Sequence, residues 1–170
     1  VLPVHAQLVV WEEPSDSNFI FSLAGPGILV ENPVRNCAAD STGTASGGFD
    51  ATFANVGLTG GIMLTSGLIG NALGPNDLGS TSHANGTPGD IDLDSLYGGT
   101  FFSATHDACA IEFDMTVSAD TLKLDFVFGS EEYLEFFTSA FNDVFGFVLS
   151  GPGIVGNHNS AVVPVTTDPV

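Results

Sequence analysis

Ala108-Cys109-Ala110-Ile111-Glu112-Phe113-Asp114-Met115-Thr116-Val117-Ser118 alternates apolar and polar residues, and this alternation decides the fold class. Strand side chains project to opposite faces with a period of two, so Cys109, Ile111, Phe113, Met115 and Val117 share an inward face. Glu112, Asp114 and Thr116 share the outward one. The next stretch repeats the pattern, with Leu122, Leu124, Phe126 and Phe128 inward and Lys123 and Asp125 outward. The short link Ala119-Asp120 predicts a hairpin between 108–118 and 122–129. Further strands are expected near 49–56, 61–66, 143–150 and 160–166. One helix is expected over 16–24, capped by Ser15 or Asp16, stopped by Gly25-Pro26, and carrying Phe19, Ile20 and Leu23 into the core. Residues 70–100 are rich in Gly, Asn, Asp and Ser yet carry Leu78, Ile91, Leu93, Leu96 and Tyr97, and read as a long functional loop. Many short strands with one long loop predict an all-β, jelly-roll-like β-sandwich with one short N-terminal helix. Residues 15–170 are expected to form one domain behind an arm at 1–14.

Charge narrows the function more than composition does. Lys and Arg total 2 against 20 Asp and Glu, a formal net charge of -18. Such a chain lacks the cations that neutralise phosphates or anionic lipid headgroups, which argues against nucleic-acid and membrane-surface partners. No apolar run approaches the ~20 residues of a membrane span. Carboxylates that converge in the fold must either titrate upward or hold a cation, and oxygen ligands favour calcium. A solvated acidic surface is the competing reading.

Cys37 and Cys109 match no zinc-ligand spacing, and in an exported chain one disulfide is the simplest reading, with two buried thiols as the alternative. Closing so long a loop stabilises by about 4 kcal/mol. Export is suggested by Val4-His5-Ala6, which fits a small-residue cleavage site before Gln7. The same arm alternates Leu2, Val4, Ala6, Leu8 and Val10 with Pro3, His5 and Gln7. If retained, it could add as a strand to a neighbouring subunit and link copies into a fibre; an intramolecular first strand is the other reading.

Three acidic groups stand out. Asp90, Asp92 and Asp94 would form a row on one side of an extended segment, with Ile91 and Leu93 on the other. The spacing is that of the first half of an EF-hand loop without its Gly and distal Glu, so that motif is rejected. Ser130-Glu131-Glu132-Tyr133 and Asn142-Asp143 lie at strand ends, where distant residues can meet one ion. Glu131, Glu132, Asp143 and Asn142 join the aspartate row as candidate calcium ligands, with turn formation as the alternative role for Asn142 and Asp143.

These segments carry a resemblance. Gly61-Ile-Met-Leu-Thr-Ser-Gly67, Gly74-Pro-Asn76, Gly89-Asp-Ile-Asp-Leu-Asp94, Ala110-Ile-Glu-Phe-Asp114, Phe126-Val-Phe-Gly-Ser-Glu-Glu-Tyr133 and Phe141-Asn-Asp-Val-Phe-Gly-Phe-Val-Leu-Ser-Gly-Pro152 follow one another in order over about 28–166. The series is similar to the choice-of-anchor L domain. That resemblance implies a bacterial surface or exported protein tethered by a C-terminal sorting signal, with no catalytic activity or ligand set to transfer. The family's domain commonly continues past the position of Val170, so a sandwich short of its last strands, with an exposed groove, is expected.

Enzymatic motifs are sparse. His5, His83, His106 and His158 are scattered, Ser66 has no nucleophile elbow, and adjacent Glu131 and Glu132 point oppositely in a strand. Lys123 beside Asp125 reads as a solvated ion pair rather than an isopeptide donor. Asn85-Gly86-Thr87 matches a glycosylation acceptor, a short and weak pattern. The expectation is a non-enzymatic, calcium-stabilised, self-assembling extracellular domain. The alternative is a calcium-dependent carbohydrate-binding module using Asn76, Asp77, Tyr97 and Tyr133.

Overall fold

The computed structural model describes residues 7–74, 78, 81–97, 104–130, 143–156 and 158–162. The all-β class holds: among the described residues antiparallel ladders dominate, joined by two short α-helices and one 3-10 turn at Ile69–Ala72. The described residues fall into two compact units, one built from residues up to Gly86 with Asp107–Val127, the other from Thr87–His106 with residues from Phe128 onward.

The first unit opens with β1 (Val9–Trp11) and α1 (Asp16–Phe21). Ser15 caps α1 by accepting from the Asn18 N–H at 3.3 Å, and the helix buries Phe19 and Ile20 as expected, whereas Leu23 lies beyond its end and is only half-buried. The helix ends at Phe21 with Ser22 as its C-cap, short of the expected stop at Gly25-Pro26, and the chain then enters a turn in which the Ile28 N–H donates to the Gly25 carbonyl at 3.3 Å. Pro26 supplies the fixed φ of the second turn position and Gly27, at φ 84°, the left-handed third. A side chain on Gly27 would also collide with the Ser118 hydroxyl at 2.5 Å.

From this turn β2 (Ile28–Asn36) runs antiparallel to β7 (Ala110–Val117). The ladder carries a bulge where Asn32 and Pro33 stand between the pairs Glu31–Asp114 and Val34–Glu112. Pro33 has no N–H to donate, and a bulge is where a strand tolerates it. Asn32, at φ 50°, turns its amide onto Asp114 at 2.8 Å.

A second sheet orders β1, β5 (Ser46–Asp50) and β6 (Gly60–Leu64), all antiparallel. Its middle strand is buried, and a side chain on Gly47 would meet the Trp11 carbonyl at 2.2 Å, while one on Gly48 would meet the Trp11 indole at 2.3 Å. Small ladders of β3 (Ala39–Asp40) with β4 (Gly43–Thr44), and of β8 (Val148–Leu149) with β9 (His158–Asn159), complete the strands. In the first unit Phe19, Ile20, Val30, Ala45, Phe49, Ala51 and Ile69 are buried.

Several expectations need correction. Residues 108–118 form the expected strand, but its partner is β2; 121–130 belong to neither strand nor helix. A two-residue hairpin needs positive φ in its link, and Ala119 and Asp120 do not adopt it. The strand expected at 49–56 lies earlier, at Ser46–Asp50, because the Asp50 carboxylate accepts from the Thr52 N–H at 2.8 Å and turns the chain. That expected at 143–150 shrinks to Val148–Leu149, which pairs with His158–Asn159; most of the strand expected at 160–166 lies outside the described residues. The long loop at 70–100 contains a second helix, α2 (Ile91–Tyr97).

Candidate functional site

Helix α2 lies in the second unit, beside an isolated bridge between Pro88 and His106. Asp90 stands before the helix, and its Oδ1 accepts from the N–H groups of Asp92 at 2.9 Å and Leu93 at 3.1 Å, satisfying two donors that a helix start leaves open. Four residues on, the Asp94 carboxylate accepts from the Thr105 N–H at 2.6 Å. Thr105 also takes the Asp90 N–H on its hydroxyl at 2.9 Å. Pro88 bridges to His106, and Gly89 passes so close that a Cβ there would lie 2.1 Å from the Thr105 carbonyl oxygen. The quoted run Gly89-Asp-Ile-Asp-Leu-Asp94 therefore acquires a physical role for most of its positions: close approach, cap, apolar contact and clasp.

This arrangement corrects the extended reading of Asp90, Asp92 and Asp94. In a helix, residues two apart point to different sides, so the three carboxylates do not form a row. The apolar members give the missed signal: Leu93, Leu96 and Tyr97 recur at helical spacing. A Cβ on Gly146 would meet Leu93 at 3.1 Å and Leu96 at 3.2 Å, showing that those two leucines share a face. The Tyr97 hydroxyl donates to the Phe145 carbonyl at 2.8 Å, and burial raises its phenol above the usual value. The Asp94 carboxyl is held below its ordinary value by the Thr105 N–H first, then the Thr105 hydroxyl, with a smaller contribution from His106.

Asp143 lies elsewhere in this unit, and its carboxylate accepts from the Ser130 hydroxyl at 2.5 Å. Ser130 and Asp143 therefore meet in space, although neither ends a strand as expected. Glu131, Glu132 and Asn142 lie outside the described residues, as do Asn76, Asp77 and Tyr133. Among the described residues no three His, Cys, Asp or Glu side chains converge as a metal-binding group.

In the first unit Cys37 and Cys109 form a disulfide, joining the end of β2 to the start of β7 just beyond the Asn36–Ala110 pair. Cys109 Sγ lies 3.3 Å from the Ala45 carbonyl oxygen, a packing contact because a disulfide sulfur carries no hydrogen. Arg35 ties the N-terminal segment to the ladder: it pairs with Asp16 at 3.0 Å, donates to the Glu13 and Pro14 carbonyls, and lies 4.8 Å over the Phe19 ring. Sequence reasoning passed over Arg35, although a lone Arg in so acidic a chain was a signal.

Of the assembly candidates, Leu2 and Val4 lie outside the described residues, while Leu8 and Val10 are half-buried. Val10 belongs to β1, which pairs with β5 of its own chain, in keeping with the intramolecular reading for residues 9–11. Asn85 directs its side-chain nitrogen, the atom a glycan would occupy, to the carbonyls of Ser66 at 2.8 Å and Gly67 at 3.0 Å. No helix among the described residues is long and apolar enough to cross a membrane.

Neither the curated proteins nor the solved structures include a match to this chain. A family model does match, that of the choice-of-anchor L domain, over residues 19–170. The match covers the disulfide, the clasp at Asp90–Thr105 and the Ser130–Asp143 contact alike, and it places the chain among exported or cell-surface proteins. By that match the chain belongs to the choice-of-anchor L domain family.

Proposed function

We propose that this domain is a non-enzymatic structural module of the cell surface or extracellular matrix, stabilised by calcium and assembling with copies of itself through its strand edges. The observation that carries the reading is the fate of its cations. Arg35 pairs with Asp16 and Lys123 with Asp125, so both basic side chains are engaged locally in a chain of formal net charge -18. The remaining carboxylates depend on solution cations, and a dication bridges oxygen-bearing surfaces where a monovalent ion only screens them.

Two further features support it. The Ser130 hydroxyl meets the Asp143 carboxylate, and both residues adjoin candidate ligands in the sequence, Glu131 and Glu132 on one side and Asn142 on the other. Glu31 and Asp114 face each other directly across the β2–β7 ladder, a like-charge pair that costs stability unless a cation lies near it. For assembly, β1 and β6 are the outer strands of their three-stranded sheet, and such edges offer backbone groups to an added strand. The carbohydrate reading draws no support from Tyr97, whose hydroxyl proton goes to the Phe145 carbonyl.

The test is a thermal melt and a sedimentation run, each with calcium, with EDTA, and with magnesium in its place. Calcium should raise the melting temperature and produce ordered polymers, and EDTA should reverse both. A melting temperature and sedimentation profile indifferent to all three conditions would reject the calcium reading; calcium stabilisation of a strict monomer would reject assembly alone.

A further inference from the structure

Asn85-Gly86 is the one Asn-Gly pair in the sequence, the dipeptide in which the following nitrogen is least hindered from attacking the side-chain amide. Gly86 stands at φ 69°, and a side chain there would meet nothing within 4 Å, so the attacking residue is open. The leaving nitrogen is not. Asn85 Nδ2 is held by both the Ser66 carbonyl at 2.8 Å and the Gly67 carbonyl at 3.0 Å, with Asn85 half-buried. The backbone of His83 runs alongside Gly67, 3.5 Å from where a Cβ would stand, so the whole segment lies against the 66–67 turn.

We infer that Asn85 is a latent modification site: a fold-protected deamidation position whose conversion to aspartate or isoaspartate releases the 81–86 segment from the 66–67 turn. In the reaction the Gly86 nitrogen bonds to Asn85 Cγ, the Cγ–Nδ2 bond breaks, and the amide leaves as ammonia with the Gly86 proton. Water then opens the cyclic imide at either carbonyl. The net change is one water consumed and one ammonia released, with no oxidant or cofactor.

Two consequences follow from the two hydrogen bonds. Cγ cannot swing toward the Gly86 nitrogen while Nδ2 is held, so both bonds must break first, which sets the protection at roughly tenfold to a hundredfold over the unfolded chain. After conversion, a carboxylate stands where a double donor stood, facing two carbonyl oxygens with which it can only repel. The change is one-way, and adds a negative charge to a chain already at -18.

The experiment incubates the intact protein at mildly alkaline pH, native in one arm and unfolded with the disulfide reduced in the other, and follows the Asn85 peptide by mass spectrometry. The native arm should convert at least about tenfold more slowly. In parallel, Asn85→Asp should raise hydrogen exchange and proteolytic nicking at 81–86 while the β2–β7 ladder keeps its protection, which separates local release from misfolding. Equal conversion rates in the two arms would overturn the protection, and unchanged exchange at 81–86 in Asn85→Asp would overturn the release.

Discussion

Residues 110–117 and 122–127 alternate apolar and polar side chains almost identically, yet among the described residues only the first pairs in a ladder. Strand β7 is paired along its length to β2, and the Cys37–Cys109 disulfide fixes the register at one end. At the other end the Ser118 N–H donates to the Gly27 carbonyl at 2.9 Å, so the pairing runs on to the turn at Gly25–Ile28. No ladder among the described residues includes 122–127, and Val127 is 59% exposed. Alternation tells which side chains share a face. It does not say which backbone will accept the hydrogen bonds, and that choice falls to covalent links and turns elsewhere in the chain.

The strongest way to break the contrast is to cut the covalent link. Replacing Cys37 and Cys109 together by Ser removes a constraint on a loop with a sequence separation of 72. Loop-closure entropy sets the loss at about 4 kcal/mol. Denaturant unfolding should show it directly, with hydrogen exchange in β2 and β7 rising toward the level of 122–127. A loss under ~1 kcal/mol would mean that the ladder, and not the disulfide, specifies the register.

The same contrast explains what was legible beforehand. The β7 strand, α1 with its Ser15 cap, the long Cys37–Cys109 bridge and the family resemblance all rested on local patterns, and local patterns survive folding when nothing competes with them. The β2 partner was not legible, because Asn32-Pro33 inside it looks like a strand breaker until the bulge that houses it is seen. Helix α2 was misread for a different reason: Asp90, Asp92 and Asp94 at alternate positions match an extended row as well as a capped helix. What decides between them is Thr105, whose N–H and hydroxyl take Asp94 and Asp90 from a point outside the motif. The contact between Ser130 and Asp143 was not legible either, because neither residue ends a strand among the described residues.

A finer test compares a valine of the β2–β7 ladder with one of 122–127. Val30, opposite Met115 in the ladder, is 6% exposed, whereas Val127 is 59% exposed. Truncation of Val30 to Ala should cost about 2 kcal/mol, through lost burial and the cavity left behind. The same change at Val127 should stay within about 0.5 kcal/mol. Equal losses would show that 122–127 is as well packed as the ladder.

The smallest expected effect concerns the polar faces. On β7 the outward carboxylates Glu112 and Asp114 stand across from Val34 and Glu31, so the ladder itself offers them no cation. On 122–127 the outward face is its own ion pair, with Lys123 Nζ 2.9 Å from Asp125 and the two side chains 79% and 62% exposed. A pair so open to water loses most of its attraction to solvent screening, so Lys123→Ala should shift stability by less than about 0.5 kcal/mol and by nothing measurable at high salt. Glu31→Gln on the ladder side should act in the opposite direction, gaining a few tenths of a kcal/mol by removing the repulsion with Asp114, with the gain fading as calcium is added. That calcium dependence is the sharper half of the test, because a fixed gain at every calcium concentration would mean that no ion resides between the two carboxylates.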